Sequence, residues 1–425
     1  MKRMNARSKS AGWSKWSLTV SLAALISSVV CLSVCHAENS EVLPKGIWTA
    51  SVNNYFYLPI YDKFNDKGDV VPIAEDYNAV LDSTVFTGLK DLEKIFGMPS
   101  GSAMVGRSDV TFHYQIYAFD FLFAYGITDR LSFGVKIPYW YQKNIVDASL
   151  DTRFATVGKN AALGILAPLN VPGTVPLTTQ DVINLLGKGL DINGDGKIDV
   201  RGYGYRRFGT WSDSGLSDMD AGFKFQYLTT KDWRLAAQGG VRFPTGQIDE
   251  TDDLVDRGFG AGVWGSFFAL NNDYVGIKDL TLDFTFRYYF LAPGEFTMRI
   301  PRTVHEPITA NKATVELDYG DVFEFEVSAA YNLSEAWSLS AIYRYGFALQ
   351  DQVSGPPKFS YRSLEDETDF EEHIGIVGLS YSTLPLYKAK KFPFPLSLSL
   401  SYRNRFAGRD VLKSQYIGFG LSAYF

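Results

Sequence analysis

The sequence predicts an all-β fold: a transmembrane, antiparallel, up-and-down β-barrel of about twelve strands, set in an outer membrane. Three observations carry this. First, the stretch Gln415–Phe425 places Ile417, Phe419, Leu421, Ala423 and Phe425 on one face. Gly418, Gly420, Ser422 and Tyr424 fall on the other. A strand has period two, so one face meets an apolar medium and the other a polar one. Second, the same alternation recurs along the 425-residue chain, and 15% of its residues are aromatic, which suits the girdles of a membrane barrel. Third, the connections alternate short and long, as periplasmic turns and extracellular loops require.

The chain opens with a basic segment (Lys2, Arg3, Arg7, Lys9, Lys15) and an uncharged, largely apolar run from Ser17 to Val34. Cys35-His36-Ala37 then offers the small residues that a signal peptidase reads, so residues 1–37 read as a cleaved signal peptide and 38–425 as the mature barrel. A retained anchor is the competing reading, because the run is about long enough to span. Cleavage removes Cys31 and Cys35, leaving no thiol chemistry, and takes the formal charge from −6 to −11 with the five basic residues. An acidic chain without a basic run is not built for nucleic acid.

Twelve strands are expected at 47–59, 108–125, 130–142, 217–229, 233–244, 259–270, 279–290, 321–333, 336–348, 372–384, 393–406 and 415–425. The count becomes 10 or 14 if the first region reads differently. The second is out of phase with itself: Val110, Phe112, Tyr114 and Ile116 share one face, Phe119, Phe121 and Phe123 the other. A bulge near Tyr117 would reconcile them. Short turns are expected at Gly126–Asp129, Thr230–Asp232, Asn271–Lys278, Ser334–Glu335 and Pro385–Lys391. Placing these on the periplasmic side leaves 61–107, 143–216, 245–258, 291–320, 349–371 and 407–414 outside. The terminal strand is the segment expected to engage the barrel-assembly machinery.

Alternation assigns the faces. Toward lipid point Leu131, Phe133, Val135, Ile137 and Tyr139, then Phe223, Phe225 and Tyr227, Leu282, Phe284 and Phe286, and Leu396, Leu398 and Leu400. Toward the lumen point Lys136, Asp218, Asp220, Lys224, Arg234, Arg242, Asp283, Arg287, Glu324, Glu326, Arg344 and Arg403, with Gln226, Gln238 and Asp279 beside them. The two signs are mixed along neighbouring strands, so cross-strand ion pairs constricting a narrow interior are expected. The plainer alternative is that the pairs only satisfy one another and fill the barrel.

Residues 143–216 form an insertion too long for a plain loop. Within it Thr178–Leu190 reads as a short helix. It runs into Asp191, Asn193, Asp195, Lys197 and Asp199, with Gly196 at the sixth position. Side-chain oxygens at positions one, three, five and nine, with the Lys197 carbonyl at seven, suit a calcium ion. This turn resembles the loops of EF-hand and dockerin proteins, but position twelve is Gly202 rather than a bidentate Glu. A solvated Asx-turn loop without an ion is the alternative.

Enzyme chemistry is not expected. His113, His305 and His373 fall in no metal-binding spacing, and no Gly-x-Ser-x-Gly elbow is present.

Several segments resemble the MetA-pathway of phenol degradation family, related in kind to FadL-like outer-membrane channels. Tyr125-Gly126-Ile127-Thr128-Asp129-Arg130-Leu131-Ser132-Phe133-Gly134-Val135 resembles its YGxTDRLxxGV hairpin. Ser214-Gly215-Leu216-Ser217-Asp218 resembles its SGxGD strand start, with Ser217 where Gly is usual. Phe243-Pro244-Thr245-Gly246 resembles its PTG strand exit, and Gly418-Phe419-Gly420-Leu421 fits its closing strand. The resemblance implies an outer-membrane channel or transporter for small, apolar or aromatic solutes. The competing class is a plugged structural or surface-interaction barrel with calcium-stiffened extracellular loops.

Overall fold

A computed structural model describes residues 39–206, 208–300 and 308–425. The proposed signal peptide with its two cysteines, and His305, lie outside the described residues. Twelve long strands form the wall: β1 Trp48–Tyr57, β2 Arg107–Thr128, β3 Leu131–Asp151, β4 Met219–Thr229, β5 Trp233–Phe243 and β6 Gly265–Ile277. Then follow β7 Leu280–Leu291, β8 Val322–Asn332, β9 Trp337–Ala348, β10 Phe370–Ser382, β11 Leu396–Arg409 and β12 Gln415–Tyr424. Each pairs antiparallel with its neighbour in sequence. The sheet closes because β12 also pairs with β1, from Thr49↔Tyr424 to Tyr57↔Tyr416. Closure leaves no edge and satisfies every strand from within, which hydrocarbon demands.

The outer face marks the membrane. Lipid-facing Phe223, Phe225, Phe284, Leu398, Leu400, Phe419 and Leu421 are exposed. At the periplasmic end stand the aromatic pairs Trp48–Tyr125, Trp233–Tyr274 and Trp337–Tyr381, with ring centroids 4.5, 4.9 and 4.8 Å apart. At the other end stand Phe243–Trp264, Tyr288–Phe323 and Phe323–Phe347. Two such girdles bounding an apolar band place the barrel in the outer membrane.

Four expectations are corrected. There is no bulge at Tyr117: the β2–β3 register is unbroken from Arg107↔Asp151 to Gly126↔Ser132. The side chains do not change face; the medium does. Above Tyr117 the strands leave the membrane, so Val110, Phe112, Tyr114 and Ile116 pack inward beneath the loops. His113 and Gln115 face outward there. Below it, Phe121 and Phe123 face lipid. Secondly, 143–151 are not loop but the upper part of β3, and Trp211–Leu216 pairs with it, so the insertion proper is 152–210. Thirdly, β6 is displaced toward its C-terminal end. Asn271 and Asp273 are buried wall residues, and the turn is only Lys278–Asp279, with Asp279 at φ 61° rather than in the lumen. Fourthly, the helix in the insertion ends at Leu186, capped at its start by the Thr178–Asp181 capping box. The short strands Gly189–Leu190 and Val200–Arg201 then pair across the calcium-like turn.

The β3–β4 seam has one local gap. Pro138 has no amide proton, and the ladder passes from Leu216↔Tyr139 to Asp220↔Lys136 with Ser217, Asp218 and Met219 between. There Ser217 N donates to Pro138 O at 3.0 Å.

Candidate functional site: a capped lumen with an apolar vestibule

Of the residues that alternation points inward, most are buried within the barrel, while Arg234, Asp218 and Asp279 are placed differently. Lys136, Asp220, Lys224, Arg242, Asp283, Arg287, Glu324, Glu326 and Arg403 are all buried in the interior, and Arg344 is half-buried beside them. Arg234 instead lies at the periplasmic rim and pairs with Glu41 at 2.5 Å. Asp218 lies at the outer end, where it holds a loop. Sequence reasoning missed Asp120, Asp273, Glu372 and Arg405, which are equally buried in the wall. Alternation could have found the first and last, since each shares a face with residues already assigned. Asp273 lay in a segment read as a turn.

The charges pair between neighbouring strands. Arg242 donates to both oxygens of Asp220 at 2.8 and 3.0 Å, and Lys136 stands 3.5 Å from the same carboxylate. Arg287 reaches Glu324 at 2.8 Å and Glu326 at 3.4 Å, and Arg344 closes on Glu326 at 2.7 Å. Arg405 pairs with Glu372 at 2.7 Å, while Arg403 donates to Ser414 at 3.0 Å. These pairs run along the wall. Their side chains, only 3% exposed for Arg287 and Glu324, leave little room beside them. Lys224 Nζ is also buried and has no hydrogen-bond partner among the described residues, and such a cation calls for water.

Two segments enter the barrel. The loop between β5 and β6 folds inward, burying Leu254, Val255, Phe259 and Ala261. Its carbonyls are held by the inner wall: Asn144 and Trp211 donate to Val255 O at 3.1 and 2.9 Å, and Gln142 donates to Arg257 O. Its neck is clasped by one residue. The Asp218 carboxylate accepts Gly246 N at 2.9 Å and Ala261 N at 2.7 Å. Only glycine fits at this crossing, because a Cβ on Gly246 would meet Gly260 Cα at 2.6 Å. Ser217 and the Pro244-Thr245-Gly246 exit, singled out by sequence as strand punctuation, thus build this neck. Thr245 Oγ1 donates to Ser217 O at 2.9 Å, and Ser217 donates to Phe259 O.

At the periplasmic end, Ser40 is fully buried and donates from both N and Oγ to Asp273, at 2.8 and 2.6 Å. Gln226 donates to Ser40 O at 3.0 Å, and Leu43 N donates to Ser132 at 2.9 Å. The segment before β1 therefore sits in the periplasmic mouth.

Above the lumen the loops bury apolar side chains against one another. Phe64, Val263, Phe267, Tyr289, Phe370 and Val411 cap one side. Ile60, Ile73, Phe112, Tyr114, Val255 and Leu412 cap the other. Outside this cap a half-open apolar cleft is lined by Leu81, Val85, Phe86, Val110, Val182, Ile183, Leu186, Phe208 and Leu254, with about 550 Å³ of space including its open mouth. Its polar rim is already engaged. Ser108 donates to Tyr77 O at 2.7 Å, Tyr77 to Leu254 O at 2.6 Å, and Thr179 accepts from Leu150 N at 3.1 Å. The cleft therefore offers hydrocarbon contact and few free donors or acceptors.

The cap carries a titratable tie. Asp351 accepts Gly320 N at 2.8 Å, joining two extracellular loops. Burial, with Asp318 adding repulsion, pushes its carboxyl up to about 7 despite that amide bond. A raised acid binds its proton in the folded state, so this contribution is complete below the ordinary carboxylate range and is lost as pH rises through about 7. Asp351→Asn is expected to stabilise the protein at pH 8 by on the order of 1–3 kcal/mol and to change little at pH 4. Unfolding midpoints at the two pH values measure it; an equal effect at both refutes it.

In the calcium-like turn each of the four oxygen-bearing side chains accepts from a local amide. Asp191 accepts Gly194 N and Gly196 N at 2.7 and 2.8 Å, Asn193 accepts Asp195 N at 3.0 Å, and Asp195 accepts Lys197 N at 2.8 Å. Asp199 accepts Ile192 N at 2.7 Å. Among the described residues no three acidic, His or Cys side chains converge as an ion would need. Second lone pairs stay available, so coordination would require side-chain rotation within this frame.

His113 stacks on Tyr61, and His373 accepts or donates with Tyr343 at 2.7 Å on the outer surface. Both side chains point away from the lumen pairs.

No protein-family model matches the chain, and no curated protein matches it. Among solved structures, an outer-membrane channel from Pseudomonas putida F1 is similar in fold. It has a TM-score of 0.52 at 11% identity, over 92% of this chain and 100% of that one. A Pseudomonas aeruginosa FadL homologue matches over 91% of this chain and 92% of its own, at 11% identity and a TM-score of 0.33. A deletion mutant of the TodX monoaromatic hydrocarbon channel matches over 94% and 93%, at 9% identity and 0.35.

Proposed function

We propose that this outer-membrane barrel is a channel or transporter for small apolar or aromatic solutes. The observation that carries this is the apolar cleft above the cap, whose polar rim is already engaged and which therefore selects for hydrocarbon surface. The paired lumen charges support it. Neighbouring opposite charges cancel at a distance, so the wall gives an ion little advantage over a neutral solute. The motif resemblance to the MetA-pathway of phenol degradation family agrees with aromatic solutes.

The test is solute entry into liposomes carrying the refolded mature protein, comparing phenol-like aromatics with small sugars and ions. Selective entry of aromatics is expected. General entry would make the protein a porin.

A second reading, the plugged surface-interaction barrel, is favoured by the inward loop and the closely packed ion pairs. Entry of no solute would select it. Within either reading we propose that the Asp191–Asp199 turn binds calcium to stiffen the insertion, a role supported by its spacing. Calorimetry should show a calcium-dependent heat in the wild type that Asp195→Ala removes. A silent wild type eliminates the ion.

A further inference from the structure

The periplasmic connections differ sharply from one another. Most are a few residues long: Asp129–Arg130, Thr230–Asp232, Lys278–Asp279 and 333–336. The connection between β10 and β11 spans 383–395 and contains a short helix, Leu384–Lys388. It holds three lysines, Lys388, Lys390 and Lys391, and no acidic residue, although the chain as a whole is acidic.

This turn is held in shape. Thr383 Oγ1 donates to Phe394 O at 2.7 Å and accepts Leu396 N at 2.8 Å. Lys391 N donates to Leu386 O at 2.8 Å, folding the turn back on its helix. All three lysine side chains are exposed, and none forms an ion pair among the described residues. A cleft opens between Tyr387, the lysines, Phe392 and Pro393. Apolar side chains are exposed beside the cations: Leu384, Tyr387, Phe392 and Phe394 at 38, 45, 37 and 60%.

The position decides what this surface meets. Trp337 and Tyr381 of the periplasmic girdle stand on the strands next to it, and the lipid-facing Leu398 and Leu400 follow directly on β11. The turn therefore lies where the inner-leaflet headgroups begin. There, apolar side chains can enter the acyl boundary while lysine stems carry ammonium groups to phosphate. A soluble acidic partner would use the lysines but would leave the apolar side chains, continuous with the lipid-facing belt, unexplained.

We infer that the 383–395 turn is a binding site for anionic phospholipid headgroups of the inner leaflet, with Lys388, Lys390 and Lys391 as the phosphate ligands. This rests on surface and charge alone and is independent of what the lumen conducts.

The test uses the refolded mature protein in phosphatidylcholine bilayers carrying spin-labelled phosphatidylglycerol or phosphatidylcholine. The motionally restricted fraction reports the lipid in contact with the barrel. Wild type is expected to favour phosphatidylglycerol by on the order of tenfold at low salt, a preference that weakens as salt is raised. K388Q/K390Q/K391Q should lose it, and K388R/K390R/K391R should keep it. Circular dichroism verifies that each variant is folded. If the triple glutamine variant does not fold, K391Q alone should still reduce the preference. Equal affinity of wild type for the two lipids overturns the inference. So does a preference that survives the glutamine substitutions, or crosslinking of Lys391 to a soluble periplasmic protein without lipid selectivity.

Discussion

Arg242→Ala should destabilise the barrel by about 3–5 kcal/mol, because it strips a buried carboxylate of its strongest partner. Asp220 is 0% exposed and accepts two hydrogen bonds from Arg242, while Lys136 stands farther away at 3.5 Å. Removing the guanidinium leaves a charge that cannot be rehydrated without opening the wall. The pair itself is not the source of that stability. Asp220→Asn with Arg242→Met and Lys136→Met removes all three charges and should recover most of the loss. Unfolding by urea in lipid bilayers, followed by tryptophan fluorescence, measures both variants. A single substitution that costs less than about 1 kcal/mol would show that water already reaches the pair. The same preparation, with Arg344→Ala beside it, tests the constriction. If the ion pairs narrow the lumen, either variant raises conductance further once the obstructions at its two ends are removed.

Opening both ends of the lumen together should raise single-channel conductance several-fold, and opening either alone should raise it little. The inward loop is clasped at the extracellular end by Asp218, and Ser40 is tied to Asp273 at the periplasmic end. Obstructions in series add their resistances, so the one that remains dominates. The experiment replaces 247–259 with a short Gly-Ser turn, removes 39–44, and combines the two. Planar-bilayer recording of the three variants distinguishes the outcomes. A large increase from the loop variant alone would show that the N-terminal segment does not obstruct the lumen. No increase in the combined variant would place the limiting constriction at the ion pairs.

Much of this architecture was readable because a membrane strand writes its environment into alternate positions. All twelve strands lie where period two placed them, though β6 was displaced and β3 continued well past its expected end. The displacement has a physical cause. Asn271, Asn272 and Asp273 are turn-forming residues in isolation, yet Asn271 and Asp273 are wall residues whose polar groups face the lumen. The supposed bulge in β2 has another cause. Alternation shows that two faces differ in polarity but not which medium each one meets. Val110 and Phe121 lie on opposite faces of one regular strand because apolar surroundings move from inside the barrel to outside it at the membrane boundary.

The candidate site was legible in part. Charged lumen positions follow from alternation, whereas Lys388, Lys390 and Lys391 read in sequence only as part of an ordinary turn. The neck was not. Asp218 looks in sequence like any inward acid, and its role depends on two amides 28 and 43 positions away. The apolar cleft was not legible either, since its walls come from the 77–86 segment, β2, β3, the helix Thr179–Leu186 and Leu254.

The sequence by itself thus determined the barrel and, strand by strand, which side chains share a face. These depend on the local period of the chain. Only the tertiary structure decided that the lumen is capped, which of its charges meet, and that an apolar cleft stands above it. Those features come from contacts such as Val255 with Asn144 and Trp211, or Ser40 with Asp273. Residues so far apart in the chain leave no periodic trace of their meeting.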